Sequence, residues 1–99
     1  RVLLDMGIQN VIMTLGAKGA LLANPHGIQH IPGVKVNPVD TTAAGDTFIG
    51  AFAAAMVRKF SLKDAVRYAN CAGAIAVTRF GAQTSIPAAE EVDALYARQ

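Results

Sequence analysis

Short apolar blocks separated by turn residues fill the first forty positions, and apolar positions at helical spacing fill the rest, so strands should come first and helices after. Val11-Ile12-Met13-Thr14-Leu15, bounded by Asn10 and Gly16, suits a buried strand better than a helix of that length. Gly16 to Gly19 predicts a turn, and Ala20-Leu21-Leu22-Ala23 the returning strand. Asn24-Pro25-His26-Gly27 has the residues of a type I turn, with Asn first, Pro second and Gly fourth, after which Ile28 to Ile31 should pair back. Val34 and Val36 alternate with Lys35 and Asn37, as in a half-exposed strand leading into a loop from Pro38 to Gly45. Ahead of all these, Arg1-Val2-Leu3-Leu4-Asp5-Met6-Gly7 reads as the end of a helix.

Three helices are expected downstream. The first, from about Asp46 to Arg58, is apolar nearly all round through Phe48, Ile49, Phe52, Ala53, Ala54, Ala55, Met56 and Val57, which predicts burial on most sides. Ser61-Leu62-Lys63-Asp64 resembles a capping box with Asp in place of Glu. It opens a second helix with Leu62, Ala65, Val66, Ala69, Gly73, Ala76 and Val77 at helical spacing. Arg79 to Ile86 reads as a loop. Pro87 is placed as the first residue of a last helix whose inner face is Val92, Leu95 and Tyr96.

The stretch richest in chemistry is Val39-Asp40-Thr41-Thr42-Ala43-Ala44-Gly45-Asp46-Thr47-Phe48, where a small-residue turn with two carboxylates runs into an apolar helix. The first turn of a helix has amide N–H groups without partners and the positive end of the dipole, so an anion at Ala43, Ala44 and Gly45 would be stabilised. Asp46 beside a phosphate would be repelled unless it had a task, such as taking a proton from an attacking hydroxyl. Asp is equally a preferred helix N-cap, so on the residues alone both readings stand. Asp40, on the loop side, suits either a cation ligand or an Asx-type hydrogen bond that ties the turn. No Gly-x-x-x-x-Gly-Lys-Ser/Thr is present, which excludes a P-loop.

Composition narrows the classes. Nine Lys and Arg against seven Asp and Glu leave a charge of +2 with no basic stripe, no footprint for nucleic acid. The single cysteine, Cys71, excludes an internal disulfide and zinc-type spacing, and reads as a small buried hydrophobe; a reducing cytoplasm fits. No apolar run approaches the roughly 18 residues needed to span a bilayer. His26 and His30 read as surface residues of the hairpin.

The run from Asp40 to Phe48 resembles the C-terminal signature of the ribokinase family, the PfkB-type carbohydrate kinases. Thr14-Leu15-Gly16-Ala17-Lys18-Gly19 upstream extends the likeness, as do Ala74-Ile75-Ala76-Val77-Thr78-Arg79, Gly81-Ala82-Gln83 and Ser85-Ile86-Pro87 downstream, over essentially all 99 residues. The resemblance implies an α/β protein: the C-terminal part of a three-layer α/β/α fold, with residues 1–99 carrying the nucleotide site and catalytic base of a single kinase domain and the sugar-binding part and lid missing. Cut from the other strands of a parallel sheet, such a piece should self-associate and be inactive alone.

The implied activity is transfer of the terminal phosphate of ATP to the primary 5-hydroxyl of D-ribose, with fructokinase-like and nucleoside-kinase relatives as alternatives. Ile49 stands where Asn commonly follows Asp-Thr-Phe in the ribose-specific version. By resemblance, Asp46 is the general base and touches the sugar, and Ala43, Ala44 and Gly45 form the anion hole. Thr14, Leu15, Gly16, Ala17, Lys18, Gly19, Gly45, Asp46 and Asn70 meet the nucleotide. A potassium ion would be held by Asp40, by carbonyls of Thr42, Ala76, Arg79 and Gly81, and by the Ser85 hydroxyl. Magnesium would arrive with ATP. The parent would be a cytoplasmic homodimer without nucleic-acid or membrane partners.

Overall fold

The computed structural model describes residues 3–5, 10–39, 44–79 and 87–99. Four strands, β1 (Leu3–Asp5), β2 (Val11–Thr14), β3 (Ala20–Asn24) and β4 (Gly27–Ile31), precede three helices, α1 (Ala44–Val57), α2 (Leu62–Val77) and α3 (Ala89–Ala97). The strands lie side by side in chain order, and every pairing is antiparallel.

Two expectations are corrected here. Leu3–Asp5 is a strand and not the end of a helix: it pairs with β2, whose free edge would otherwise leave backbone N–H and C=O groups without partners. The sheet among the described residues is antiparallel, not a piece of parallel sheet, because each connection is short enough to turn the chain back on itself.

The hairpin between β3 and β4 forms where expected. Pro25 and His26 both lie outside the positive-φ region, as a type I turn requires at its central positions, and the His26 N–H donates to Asn24 Oδ1 at 2.9 Å. The register sets Thr14 opposite Ala20 and Ala20 opposite Ile31, with Ile12 opposite Leu22. Ile12, Ala20, Leu22 and Ile31 are therefore buried together and meet the core side of the helices. Val34 and Val36 are half-buried and Lys35 and Asn37 exposed, as the alternation predicts, but the segment pairs with no strand among the described residues. Val34 instead packs on the core, so burial and not a ladder sets its period.

Small residues govern helix packing. Ala65, Ala69, Ala72 and Ala76 of α2 are buried, so its backbone approaches α1 closely, and Phe48, Phe52 and Ala55 fill the interface. Burying each Phe contributes about 1.5–3 kcal/mol. Burial of α1 on most sides is not found. Only Thr47, Phe48, Phe52 and Ala55 are buried, while Val57 is 81% exposed, because no described element lies over the other face.

Helix ends follow local chemistry. α1 closes with Lys59 at φ 66°, its N–H donating to the Met56 carbonyl at 3.0 Å and that of Phe60 to Ala55 at 3.1 Å, the paired bonds of a Schellman motif. Ser61 Oγ accepts the Asp64 N–H at 3.2 Å and caps α2. α3 starts two residues after Pro87, with Ala88 as N-cap, and the Glu91 carboxylate accepts the Ala88 N–H at 2.9 Å. Val92, Leu95 and Tyr96 do form its inner face.

The three helices are knit together at Asp93, which accepts from the Tyr68 hydroxyl at 2.7 Å and from Arg58 at 2.9 Å. These bonds, Tyr68 first, hold the Asp93 carboxyl below its ordinary range. Phe60, Tyr68 and Tyr96 pack around them with ring centroids 5.5–5.7 Å apart. No helix among the described residues is long and apolar enough to cross a membrane.

Candidate functional site

Because α1 begins at Ala44, Asp46 is the third residue of the helix and not its cap. That excludes the N-cap position and leaves the carboxylate as a charge at the positive end of the helix or as a base. The Asp46 carboxylate is exposed and has no hydrogen-bond or ion-pair partner among the described residues. Ala44 and Gly45 supply first-turn amides that no intrahelical carbonyl can satisfy, and they share that turn with the Asp46 carboxylate. Thr47 and Phe48, buried immediately after, anchor that turn to the core. The buried Thr47 Oγ1 makes no hydrogen bond.

The start of α1 leans on the C-terminal half of α2. A Cβ added to Gly73 would lie 3.8 Å from the Ala44 carbonyl oxygen. The Val39 N–H donates to the Val77 carbonyl at 2.6 Å, so the chain approaches the turn from the same end of α2. The Ala76 carbonyl accepts the Arg79 N–H at 3.2 Å, and the Arg79 guanidinium pairs with both carboxylate oxygens of Glu91, the first at 3.2 Å. Arg79, then the Ala88 N–H, draw the Glu91 carboxyl below its ordinary value. Of the expected potassium ligands, Ala76 and Arg79 thus lie together near Val39, while Asp40, Thr42, Gly81 and Ser85 lie outside the described residues, as does Ala43 of the anion hole. Carbonyls at a helix C-terminus carry the negative end of its dipole and are the hard oxygen donors a group 1 or group 2 cation takes.

The second cluster is the 3-10 turn Gly16–Lys18, exposed at all three residues. It is closed by the Leu15 N–H donating to the Gly19 carbonyl at 2.7 Å and the Gly19 N–H donating to Gly16 at 3.0 Å. Gly19 has φ 95°, and a Cβ there would collide with Ile31 O, Gly33 N and, at 2.7 Å, Pro32 C, so only glycine fits. Gly33 is tight in return, its Cβ position lying 2.7 Å from the Ala17 carbonyl oxygen. His30 Nε2 donates to the Lys18 carbonyl at 2.6 Å; a carbonyl only accepts, which assigns the proton to that nitrogen.

Asn70 is neither polar surface nor open to a ligand through its amide nitrogen. It is 8% exposed, and Nδ2 donates to the carbonyls of Ile31 at 3.3 Å and Pro32 at 3.2 Å. The two clusters are therefore one connected arrangement. The Gly16 to Gly19 turn abuts residues 31–33, these hang on Asn70, and Gly73, about 4.5 Å further along α2, meets Ala44. His30 is exposed, in keeping with the surface reading, while the tight approach at Gly33 and the bond from His30 to the Lys18 carbonyl were not expected from the sequence. The Pro32-Gly33 pair was the available signal, since it breaks a strand and leaves no side chain at its second position. A cavity of about 380 Å³ lies on the other side of residues 29–34, lined also by Lys63, Arg67 and Cys71 and not by Asp46. Burial pushes the Cys71 thiol up, which keeps it protonated and inert.

Residues 2–89 match the pattern of the pfkB family carbohydrate kinases. The chain belongs to that family. It is 47% identical over 91 residues to the ribokinase of Staphylococcus aureus (strain COL), spanning 91% of this chain and 30% of that protein. The crystal structure of ribokinase from Thermotoga maritima superposes with a TM-score of 0.88 at 53% identity, over 92% of this chain and 31% of that one. Aminoimidazole riboside kinase from Salmonella enterica, complexed with aminoimidazole riboside and an ATP analogue, gives a TM-score of 0.81 at 38% identity, over 88% and 31% of the two chains. The fold is thus that of the ribokinases, and the chain covers about a third of the length of these relatives. Deoxyribokinase and fructokinase also stand among the similar proteins.

Proposed function

We propose that the protein to which this chain contributes is an ATP-dependent ribokinase, transferring the terminal phosphoryl group of ATP to the primary hydroxyl of D-ribose. One observation carries the reading: α1 starts two residues before Asp46, so an exposed carboxylate with no partner among the described residues shares the first helical turn with the amides of Ala44 and Gly45.

The Asp46 carboxylate takes the proton from the sugar hydroxyl. The hydroxyl oxygen then bonds to the terminal phosphorus of ATP while the bond from that phosphorus to the bridging oxygen breaks, and ADP leaves with the electron pair. The N–H groups of Ala44 and Gly45, with Ala43 as the resemblance implies, donate to the phosphoryl oxygens as charge builds. These donors are fixed by the helix and need no reorganisation. The Gly16 to Gly19 turn borders the nucleotide. A solved relative from E. coli is in complex with ATP and Mg²⁺, and a Vibrio cholerae fructokinase is bound to fructose, ADP and potassium ion. Potassium on Asp40 and the carbonyls around Ala76 and Arg79 would join the two loops that flank the turn. No residue of this chain is assigned to magnesium. Since the chain spans 30% of its ribokinase relative, on its own it is a nucleotide half-site without transfer activity.

The test is to incubate the complete enzyme with ATP and, separately, D-ribose, deoxyribose, fructose or aminoimidazole riboside, measuring ADP and the mass of the product. The expected result is ribose 5-phosphate formed with the highest kcat/KM. Preference for fructose would overturn ribose specificity, and ADP release without any phosphorylated sugar would overturn the kinase reading.

A further inference from the structure

The geometry points to the groove between β4 and α2 as a docking site for an extended acidic segment of another protein, which lies along β4 as a further strand and sets carboxylates at alternate positions against Lys63 and Arg67.

Among the described residues β4 is an edge strand, since only β3 pairs with it. Asn24 stands opposite Gly27 across a two-residue turn, a place that only a hydrogen-bonded pair can take. Bonded and non-bonded pairs alternate from there. Gln29 and Ile31 therefore exchange bonds with Leu22 and Ala20, and the N–H and C=O groups of Ile28 and His30 point away from β3. Those groups meet no hydrogen-bond partner among the described residues. β4 also lacks the features that usually blunt an edge. No proline, lysine or bulge interrupts Gly27 to Ile31, and Ile28 is 74% exposed.

The cavity of about 380 Å³ opens beside this strand, with Gln29, His30 and residues 31–34 on one wall, Lys63, Arg67 and Cys71 of α2 on the other, and Gln99 between them. Among the described residues no Asp or Glu side chain lines it. Lys63 is exposed and has no ion pair among the described residues, and Arg67 reaches Asp64 only at 3.5 Å, an exposed pair that contributes little. The groove thus offers two cations and a strand edge to one ligand.

Spacing defines that ligand further. Ile31 faces the helices, and residues two apart share a face of a strand, so Gln29 lies on the α2 side of β4 and Ile28 on the other. Lys63 and Arg67 are separated by about 6 Å along the axis of α2, and alternate residues of a strand by about 6.6 Å. The two repeats match. In a strand added to β4, residues i and i+2 bring carboxylates to the two cations while residue i+1, on the opposite face, covers Ile28. The segment recognised is acidic, apolar, acidic.

The probe is a fluorescein-labelled peptide, Thr-Glu-Val-Glu-Val-Thr, titrated with the complete protein and read by anisotropy at low ionic strength. Saturable binding is expected, weakening as salt is added. Lys63→Glu with Arg67→Glu should weaken it about tenfold, as should Gln in place of both peptide Glu residues. Ile28→Pro removes an outward N–H without breaking a bond to β3 and should weaken it to a similar extent. Methylating the peptide nitrogens of both Glu residues, or instead of both Val residues, should abolish binding for one set and leave the other within about threefold, because only alternate amides of an added strand face β4.

Absence of saturable binding to the complete protein would overturn the proposal. Loss on charge reversal with both methylated peptides binding alike would reduce the groove to a basic patch and overturn strand addition. Loss on methylation with no effect of charge would overturn the acidic partner. A dimer seen by sedimentation and dissolved by Ile28→Pro would give the edge to a second copy of the chain, again overturning it. Should Ile28→Pro fail to fold, the two methylated peptides decide: unequal binding supports the added strand, and equal binding refutes it.

Discussion

Replacing Asp46 by Asn separates its two physical roles, because they act on different quantities. As the third residue of α1, a carboxylate stabilises the positive end of the helix dipole. At an exposed position this contributes about 0.5 kcal/mol, a Tm decrease of roughly 1–2 °C on removal in a protein the length of the relatives. As a general base it would lower the barrier to phosphoryl transfer, and its loss should cost at least about 100-fold in kcat, equivalent to about 2.7 kcal/mol. The amide keeps the size of the side chain, and removing a negative charge beside the phosphate-binding amides lifts a repulsion. KM for ATP should therefore stay the same or fall. The assay is ADP production by the complete enzyme, parent and Asp46→Asn, alongside thermal unfolding of both. Turnover within about threefold of the parent, with only the small Tm change, would reduce Asp46 to a helix-end charge and refute the mechanism.

Lys59 sits in the left-handed region at the Schellman close of α1, where glycine is unstrained, so Lys59→Gly should raise stability by about 0.5–1 kcal/mol in denaturant unfolding; a loss would show that the Lys59 side chain matters more than its backbone. Asp93 is held below its ordinary value of 3.8, so its contribution is complete above that pH and is lost as pH falls through the lower folded value. Tyr68→Phe removes the largest cause of that depression: Tm near neutrality should fall by an amount matching about 1 kcal/mol, and the further loss below about pH 4 should be shallower than in the parent. Parallel Tm profiles against pH would contradict this. Asp40→Ala should weaken activation of the complete enzyme by potassium, and identical potassium dependence in both proteins would remove Asp40 from the cation site.

Much of the site was legible because its signals are local. An apolar helix around Asp46, two glycines after a strand, and Ser61 three residues before Asp64 depend only on neighbouring residues, and each lies where the pattern put it, while 40–43 lie outside the described residues. Asp46 was ambiguous in sequence because cap and base use the same carboxylate. The helix start at Ala44 excludes the N-cap position and leaves a helix-end charge and a base as the two roles.

The sequence by itself determined the types of β2 to β4 and of the three helices, and the inner faces of α2 and α3, since periodicity and turn chemistry act within a few residues. The tertiary structure alone decided which face of the uniformly apolar α1 is covered, that Leu3–Asp5 becomes a strand, and that Asn70 turns inward to Ile31 and Pro32. These depend on contacts between residues as far apart as 31 and 70, and an amide's choice between solvent, ligand and a distant carbonyl is fixed only when packing brings that carbonyl within reach.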